Sequence, residues 1–103
     1  IQVNVALNYG SKKELINFIK TINKKKIKIN ERNIDKHLYT RGIVEPDILI
    51  RTGNTQRLSN FMLWQLEYTE IFFEKKLWPD FKVNDFKKIL VKFKLRKRNF
   101  GSI

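Results

Sequence analysis

Apolar and polar residues alternate from the first position: Ile1, Val3, Val5 and Leu7 are separated by Gln2, Asn4 and Ala6. That period of two predicts a strand over residues 1–7, broken by Asn8, Tyr9 and Gly10. Ser11, with Glu14 three positions on, reads as a capping box. Leu15, Phe18, Ile19 and Ile22 follow at the spacing of one helix face. Lys24, Lys25 and Lys26 stand near the end of this helix, where cations suit its dipole. A shorter helix is expected over residues 31–39, with Ile34 and Leu38 turned inward. Beyond Gly42 and Pro46, the run Ile48-Leu49-Ile50 between Asp47 and Arg51 fits a strand covered on both faces. Thr52-Gly53-Asn54 is turn chemistry. Residues 60–68 have helical character but are apolar on nearly every side, through Phe61, Met62, Leu63, Trp64 and Leu66. Such a helix must be buried by the domain or by a partner chain. Ile71-Phe72-Phe73 predicts another strand, and Trp78-Pro79-Asp80-Phe81 a loop with two aromatic anchors. The last helix is expected to take Asn84 as N-cap, to turn Phe86, Ile89, Leu90 and Phe93 inward, and to end in the basic tail Arg96-Lys97-Arg98.

Strands alternating with helices imply an α/β fold with a mostly parallel sheet flanked by helices. At 103 residues, one small domain is the most the chain can hold. It starts on Ile1, already inside an alternating run, so the expectation is an incomplete fold whose amino-terminal half is absent.

Composition narrows the chemistry. Without cysteine there are no disulfides or thiolate metal sites, and one histidine, His37, leaves no Ser-His-Asp or usual zinc arrangement. Carboxylates, arginines, hydroxyls and backbone N–H groups remain. No apolar run approaches the roughly 20 residues that span a bilayer, and the opening segment lacks the features of a signal peptide; a cytoplasmic location is expected. The net charge of +12 admits nucleic acid, anionic membranes or phosphorylated substrates as partners. Much of it is lysine in a chain also rich in Ile and Asn, a pattern that compositional drift explains. The scarcer arginines are more informative.

Arg51 falls at the carboxyl end of a predicted buried strand, the edge where open α/β sheets bind ligands. A glycine turn, Arg57, and Ser59 at a predicted helix N-terminus follow. Helix N-termini favour phosphate, and guanidiniums bind its oxygens bidentately. The three residues read as a diphosphate cradle, or equally as two ion-paired surface arginines and a simple cap. Glu70, between apolar segments, reads as a salt-bridge partner or a magnesium contact.

Ile50-Arg51-Thr52-Gly53, followed by Arg57-Leu58-Ser59-Asn60-Phe61-Met62-Leu63-Trp64-Gln65, closely resembles the signature I-R-T-G-G-E-x-R-x-S-N-F-L-x-W-Q of the cis-prenyltransferases of the undecaprenyl diphosphate synthase type. Tyr68 to Phe73, Leu77 to Phe81, Asn8-Tyr9-Gly10 and the closing Arg-x-Arg-x-Phe-Gly pattern resemble other blocks of that family, in order and over essentially the whole chain. The resemblance implies a prenyltransferase that condenses isopentenyl diphosphate onto an allylic diphosphate such as farnesyl diphosphate. Its product would be a cis-polyprenyl diphosphate such as undecaprenyl diphosphate, the lipid carrier of cell-wall polymers. It further implies that Arg51, Arg57 and Ser59 hold the isopentenyl diphosphate, that Glu70 attends a Mg2+ ion, and that the enzyme is a homodimer. Residues 1–103 would be the carboxyl-terminal part of one such domain. The essential aspartate, in a block H-x-x-M-D-G-N-x-R that nothing here matches, would lie upstream.

Departures from the pattern are Asn54 and Thr55 for a glycine and a glutamate, Ser11 and Lys12 for a glycine and an arginine, and Asn99 for the arginine of an Arg-x-Gly motif that reaches substrate across the dimer. Two other readings compete. A non-catalytic subunit of a heteromeric cis-prenyltransferase would tend to lose the Arg-Thr-Gly and Arg-x-Ser-Asn residues that are present here. A nucleic-acid module has only diffuse lysine behind it, so nucleic acid is not expected as a partner. The basic surface would instead suit peripheral contact with an anionic membrane.

Overall fold

The computed structural model describes residues 1–96, 98 and 101. They divide into two compact units, Ile1–Val44 with Ser59–Trp64, and Glu45–Leu58 with Gln65–Ile103.

The first unit is built on helix α1, Ser11–Lys25. Phe18 and Ile22 are buried with Leu38, and Leu15, Ile27, Ile34 and Trp64 pack against them. Of the stripe read from the spacing, Leu15, Phe18 and Ile22 face this core, while Ile19 is 57 % exposed, at the edge of the face. The capping box is not formed. Gly10 is the N-cap and makes no side-chain bond, because it has no side chain to offer. The free N–H groups go to Asn60 instead: its carbonyl oxygen accepts from the Ser11 N–H at 2.8 Å and its Oδ1 from the Lys12 N–H at 2.9 Å. Ser11 Oγ is occupied by the Leu63 N–H at 3.0 Å. The helix stops where Lys26 takes a left-handed φ of 51°, the conformation common just past a helix C-terminus. Helix α2, Glu31–Asp35, is capped by Asn30 Oδ1 on the Asn33 N–H, and turns carry the chain on to Leu38.

Two expectations fail in this unit. Residues 1–7 form no strand and are exposed: a ladder needs a neighbour for its N–H and C=O groups, and no described strand pairs with them. Residues 60–68 form turns, not a helix. Ser59, Asn60 and Met62 have φ of 51°, 62° and 47°, and left-handed residues do not propagate a right-handed helix. Of the apolar residues there, Leu63 is exposed and Phe61 and Met62 half-buried.

The second unit holds a two-stranded parallel sheet, β1 (Ile48–Arg51) and β2 (Glu70–Phe73), in register from Ile48↔Glu70 to Arg51↔Phe73. Both strands fall where the sequence put them. Phe72 on β2 is buried, as are Leu66 and Ile89. A short 3₁₀ helix covers Trp78–Asp80. Only Phe81 is a partial anchor; Trp78 is exposed, stacked on the Phe81 ring at 6.1 Å. Helix α3 runs Val83–Leu95. Its N-cap is Lys82 and not Asn84, because Asp85 Oδ2 accepts from the Lys82 N–H at 2.9 Å and fixes the start two residues earlier. Ile89 is its buried residue, Leu90 and Phe93 are half-buried, and Phe86 is largely exposed. No helix among the described residues is long and apolar enough to cross a membrane.

Candidate functional site

Arg51 closes β1, at the carboxyl end of the parallel pair. Its carbonyl accepts from the Glu74 N–H at 2.8 Å. Its Nε is buried and has no hydrogen-bond partner among the described residues. A buried guanidinium donor without an acceptor is costly, so this group is poised for an acceptor that the described chain does not provide.

The turn after β1 bends through Gly53 at φ 86° and Asn54 at φ 53°. Glycine enters this region freely and asparagine more readily than other side chains. The substitution of Asn54 for a glycine therefore leaves the turn attainable. The segment after β2 clamps it: the Gly53 N–H donates to the Lys76 carbonyl at 2.8 Å and the Asn54 N–H to the Glu74 carbonyl at 3.1 Å. Thr55 Oγ1 donates back to the Gly53 carbonyl at 3.2 Å.

Arg57, farther along this unit, is exposed and has no hydrogen bond or ion pair among the described residues. Ser59 belongs to the first unit. It is exposed, and with φ 51° it begins no helix, so the expected phosphate-binding helix N-terminus is not there.

Glu70 opens β2 opposite Ile48. Arg51, three residues along β1, is therefore about 10 Å away along the strand direction, at the other end of the sheet. Arg96 Nη1 donates to Glu70 Oε2 at 2.5 Å, and the same guanidinium lies over the Phe72 ring, 4.1 Å from its centroid. The tail is tied down again at Arg98, whose Nη1 donates to Asp47 Oδ1 at 2.7 Å and whose Nη2 donates to the Tyr68 carbonyl at 3.2 Å. Asn99 and Phe100 lie outside the described residues. No group of three or more acidic, histidine or cysteine side chains among the described residues could hold a metal by itself.

One polar centre was not singled out in the sequence. Glu14, 1 % exposed, accepts from the Tyr9 hydroxyl at 2.6 Å and from the Tyr39 N–H at 2.6 Å. Burial, followed by the hydrogen bond to Glu14, pushes the Tyr9 hydroxyl up to about 12. The alternative use of Glu14 in a capping box hid this role. Beside it, an open cleft lined by Val5, Leu7, Tyr9, Ile43, Phe61 and Met62 contains none of Arg51, Arg57, Ser59 or Glu70.

A prenyltransferase family model, that of undecaprenyl diphosphate synthase, matches residues 1–101. The chain belongs to this family. Among its relatives are an isoprenyl transferase of Oceanobacillus iheyensis, 47 % identical over 98 % of this chain and 43 % of its own length, and one of Thermotoga maritima, 40 % identical over 96 % of this chain and 45 % of its own. Two crystal structures agree in fold. A probable undecaprenyl diphosphate synthase from Campylobacter jejuni matches with a TM-score of 0.84 at 39 % identity, over 94 % of this chain and 46 % of that one. Lavandulyl diphosphate synthase from Lavandula x intermedia, in complex with dimethylallyl diphosphate, matches with a TM-score of 0.86 at 35 % identity, over 94 % of this chain and 45 % of that one. The α/β expectation thus stands for this prenyltransferase-family chain, which spans less than half the length of these relatives.

Proposed function

We propose that this chain contributes the isopentenyl diphosphate-binding part of a cis-prenyltransferase. Such an enzyme joins isopentenyl diphosphate to an allylic diphosphate to form a cis-polyprenyl diphosphate, such as undecaprenyl diphosphate. The observation that carries the reading is the Arg51 guanidinium, at the carboxyl end of a parallel strand, whose buried Nε lacks an acceptor among the described residues. A diphosphate oxygen would satisfy it. Arg57, exposed and without an ion pair among the described residues, would add charge; the Ser59 hydroxyl enters the reading through the family resemblance alone.

These groups bind and orient. Holding one substrate in a reactive pose can lower a bimolecular barrier by several kcal/mol, and two guanidiniums neutralise charge on the diphosphate. Glu70 is the residue of this chain that would hold Mg2+. Magnesium commonly takes only one or two protein carboxylates and completes its shell with water and substrate phosphates. The Glu70 side chain is 24 % exposed and within reach of solvent, so one carboxylate fits that use once Arg96 yields it. When bound, the ion would offset charge on a departing diphosphate. A homodimer and a cytoplasmic enzyme touching the membrane from one side complete the proposal. Phe73, 44 % exposed on β2, is a surface that a second copy would cover.

The test is calorimetric titration of the chain with isopentenyl diphosphate. Arg51→Ala and Arg57→Ala are each expected to weaken binding at least tenfold, the loss of a charge-assisted bidentate contact. Unchanged affinity in Arg51→Ala would overturn the reading. Because nothing here matches the aspartate block, the chain alone should incorporate no labelled isopentenyl diphosphate into product.

A further inference from the structure

The outward face of α3 is neither core nor ordinary solvated surface. Val91 and Leu95 are 60 % and 82 % exposed. At about 100° per residue they lie about 40° apart on the helix. Lys87 and Lys94 flank this apolar stripe on one side and Lys88 and Lys92 on the other. None of these lysines is ion-paired among the described residues. The helix has a single acidic residue, Asp85, already engaged by the Lys76 ammonium at 2.8 Å and by the Lys82 N–H. Just before the helix, Leu77 is exposed and Trp78 is 72 % exposed.

We propose that α3 with Leu77 and Trp78 is a docking surface for an anionic lipid bilayer. An apolar stripe bordered by lysines is the pattern of a helix lying in the membrane interface, with its ammonium groups reaching lipid phosphates. Tryptophan favours the same depth. At 13 residues the helix is too short to span, so it lies in the surface. Charge selects this occupant over a second copy: two faces each lined with lysines repel, in a chain of net charge +12. Nucleic acid would use the lysines but leave Val91, Leu95 and Trp78 in water. The proposal deepens the membrane contact named above and is independent of the diphosphate site.

The test is co-sedimentation of the chain with phosphatidylcholine vesicles, with and without phosphatidylglycerol, at low and moderate salt. Binding that requires phosphatidylglycerol is expected. Val91→Asn with Leu95→Asn should weaken it at least tenfold, while Val44→Asn, an exposed apolar site in the other unit, should leave it unchanged. Lys87→Gln with Lys92→Gln should flatten the salt dependence. Absent binding, or equal binding by the asparagine double variant, overturns the proposal. So does a wild-type dimer in sedimentation velocity that this variant dissociates, or duplex DNA binding that it abolishes. Circular dichroism checks folding, and Leu95→Asn alone, at the last helical residue, serves if the double variant does not fold. Titration with isopentenyl diphosphate runs in parallel: if it persists in a chain that ignores vesicles, the docking surface fails and the diphosphate reading survives.

Discussion

Replacing Glu14 tests how the first unit is held together. Its carboxylate is buried and accepts from the Tyr9 hydroxyl and the Tyr39 N–H, each at 2.6 Å. A hydrogen bond to a charged group contributes about 1.5–3 kcal/mol. Tyr9 is half-buried and Tyr39 largely exposed, so the low end applies to each, and losing both costs about 3 kcal/mol. Glu14→Ala removes both acceptors and leaves a gap beside them. Glu14→Gln keeps the shape and a neutral acceptor, and neutral hydrogen bonds are about half as strong; its cost should be about 1.5 kcal/mol. Small domains have only about 5–15 kcal/mol in all, so both effects are measurable. The assay is urea unfolding followed by Trp64 fluorescence in a Trp78→Phe background, because Trp64 packs on the core of this unit. A Glu14→Ala variant that loses under about 1 kcal/mol, or is no less stable than Glu14→Gln, would refute the reasoning.

Other outcomes follow from the same structure. Tyr9 ionises near 12 in the folded chain against 10.0 for the free group, so its contribution to stability is fully present below pH 10 and is lost as pH rises from 10 towards 12. Ultraviolet titration of wild type against Tyr9→Phe should assign a late ionisation to Tyr9, and Glu14→Gln should bring it earlier; a Tyr9 that ionises no later than the free group would count against this. Arg96→Gln frees the Glu70 carboxylate, so Mn2+ binding in the presence of isopentenyl diphosphate, read by water proton relaxation, should tighten severalfold, while Glu70→Gln should abolish it. If Glu70→Gln leaves Mn2+ binding intact, Glu70 is a structural ion-pair partner only. Gly53→Val forces a β-branched residue to φ 86°, a strain of about 1–3 kcal/mol; thermal unfolding should report it, and an unshifted melting temperature would contradict it.

What could be read from the chain beforehand divides along physical lines. The short strand ending at Arg51 and the strand containing Phe72 were legible because uninterrupted apolar runs bounded by charges and turn residues have few alternatives. The helix α1 was legible from helical spacing, though Ile19, counted on its apolar face, is 57 % exposed. Residues 1–7 carried a correct period, but period says only which side chains could share a face, and the ladder partner that makes a strand is not written in the segment itself. The stretch over residues 60–68 misled because helical spacing and general apolarity say nothing about Asn60, whose carbonyl and amide oxygens are drawn to the start of α1. Arg51 was found at the sheet edge because strand direction alone puts it there. The Arg96 partner of Glu70 and the Tyr39 partner of Glu14 were invisible because they come from positions 26 and 25 residues away, and Arg96 was equally able to remain in solvent.

The cap that Asn60 places on α1 ties two points 48 residues apart. During synthesis the amino end of α1 emerges long before Asn60 does, and its first N–H groups must stay hydrated until the later segment arrives. Closing so long a loop is slow compared with winding a helix. If α1 winds first, its amino end at Ser11 lacks its Asn60 partners until the Ser59–Trp64 segment returns to it. The residue that makes this cap neighbours Ser59, for which a diphosphate contact is proposed, so a change at Asn60 would disturb the start of α1 whatever it did to substrate.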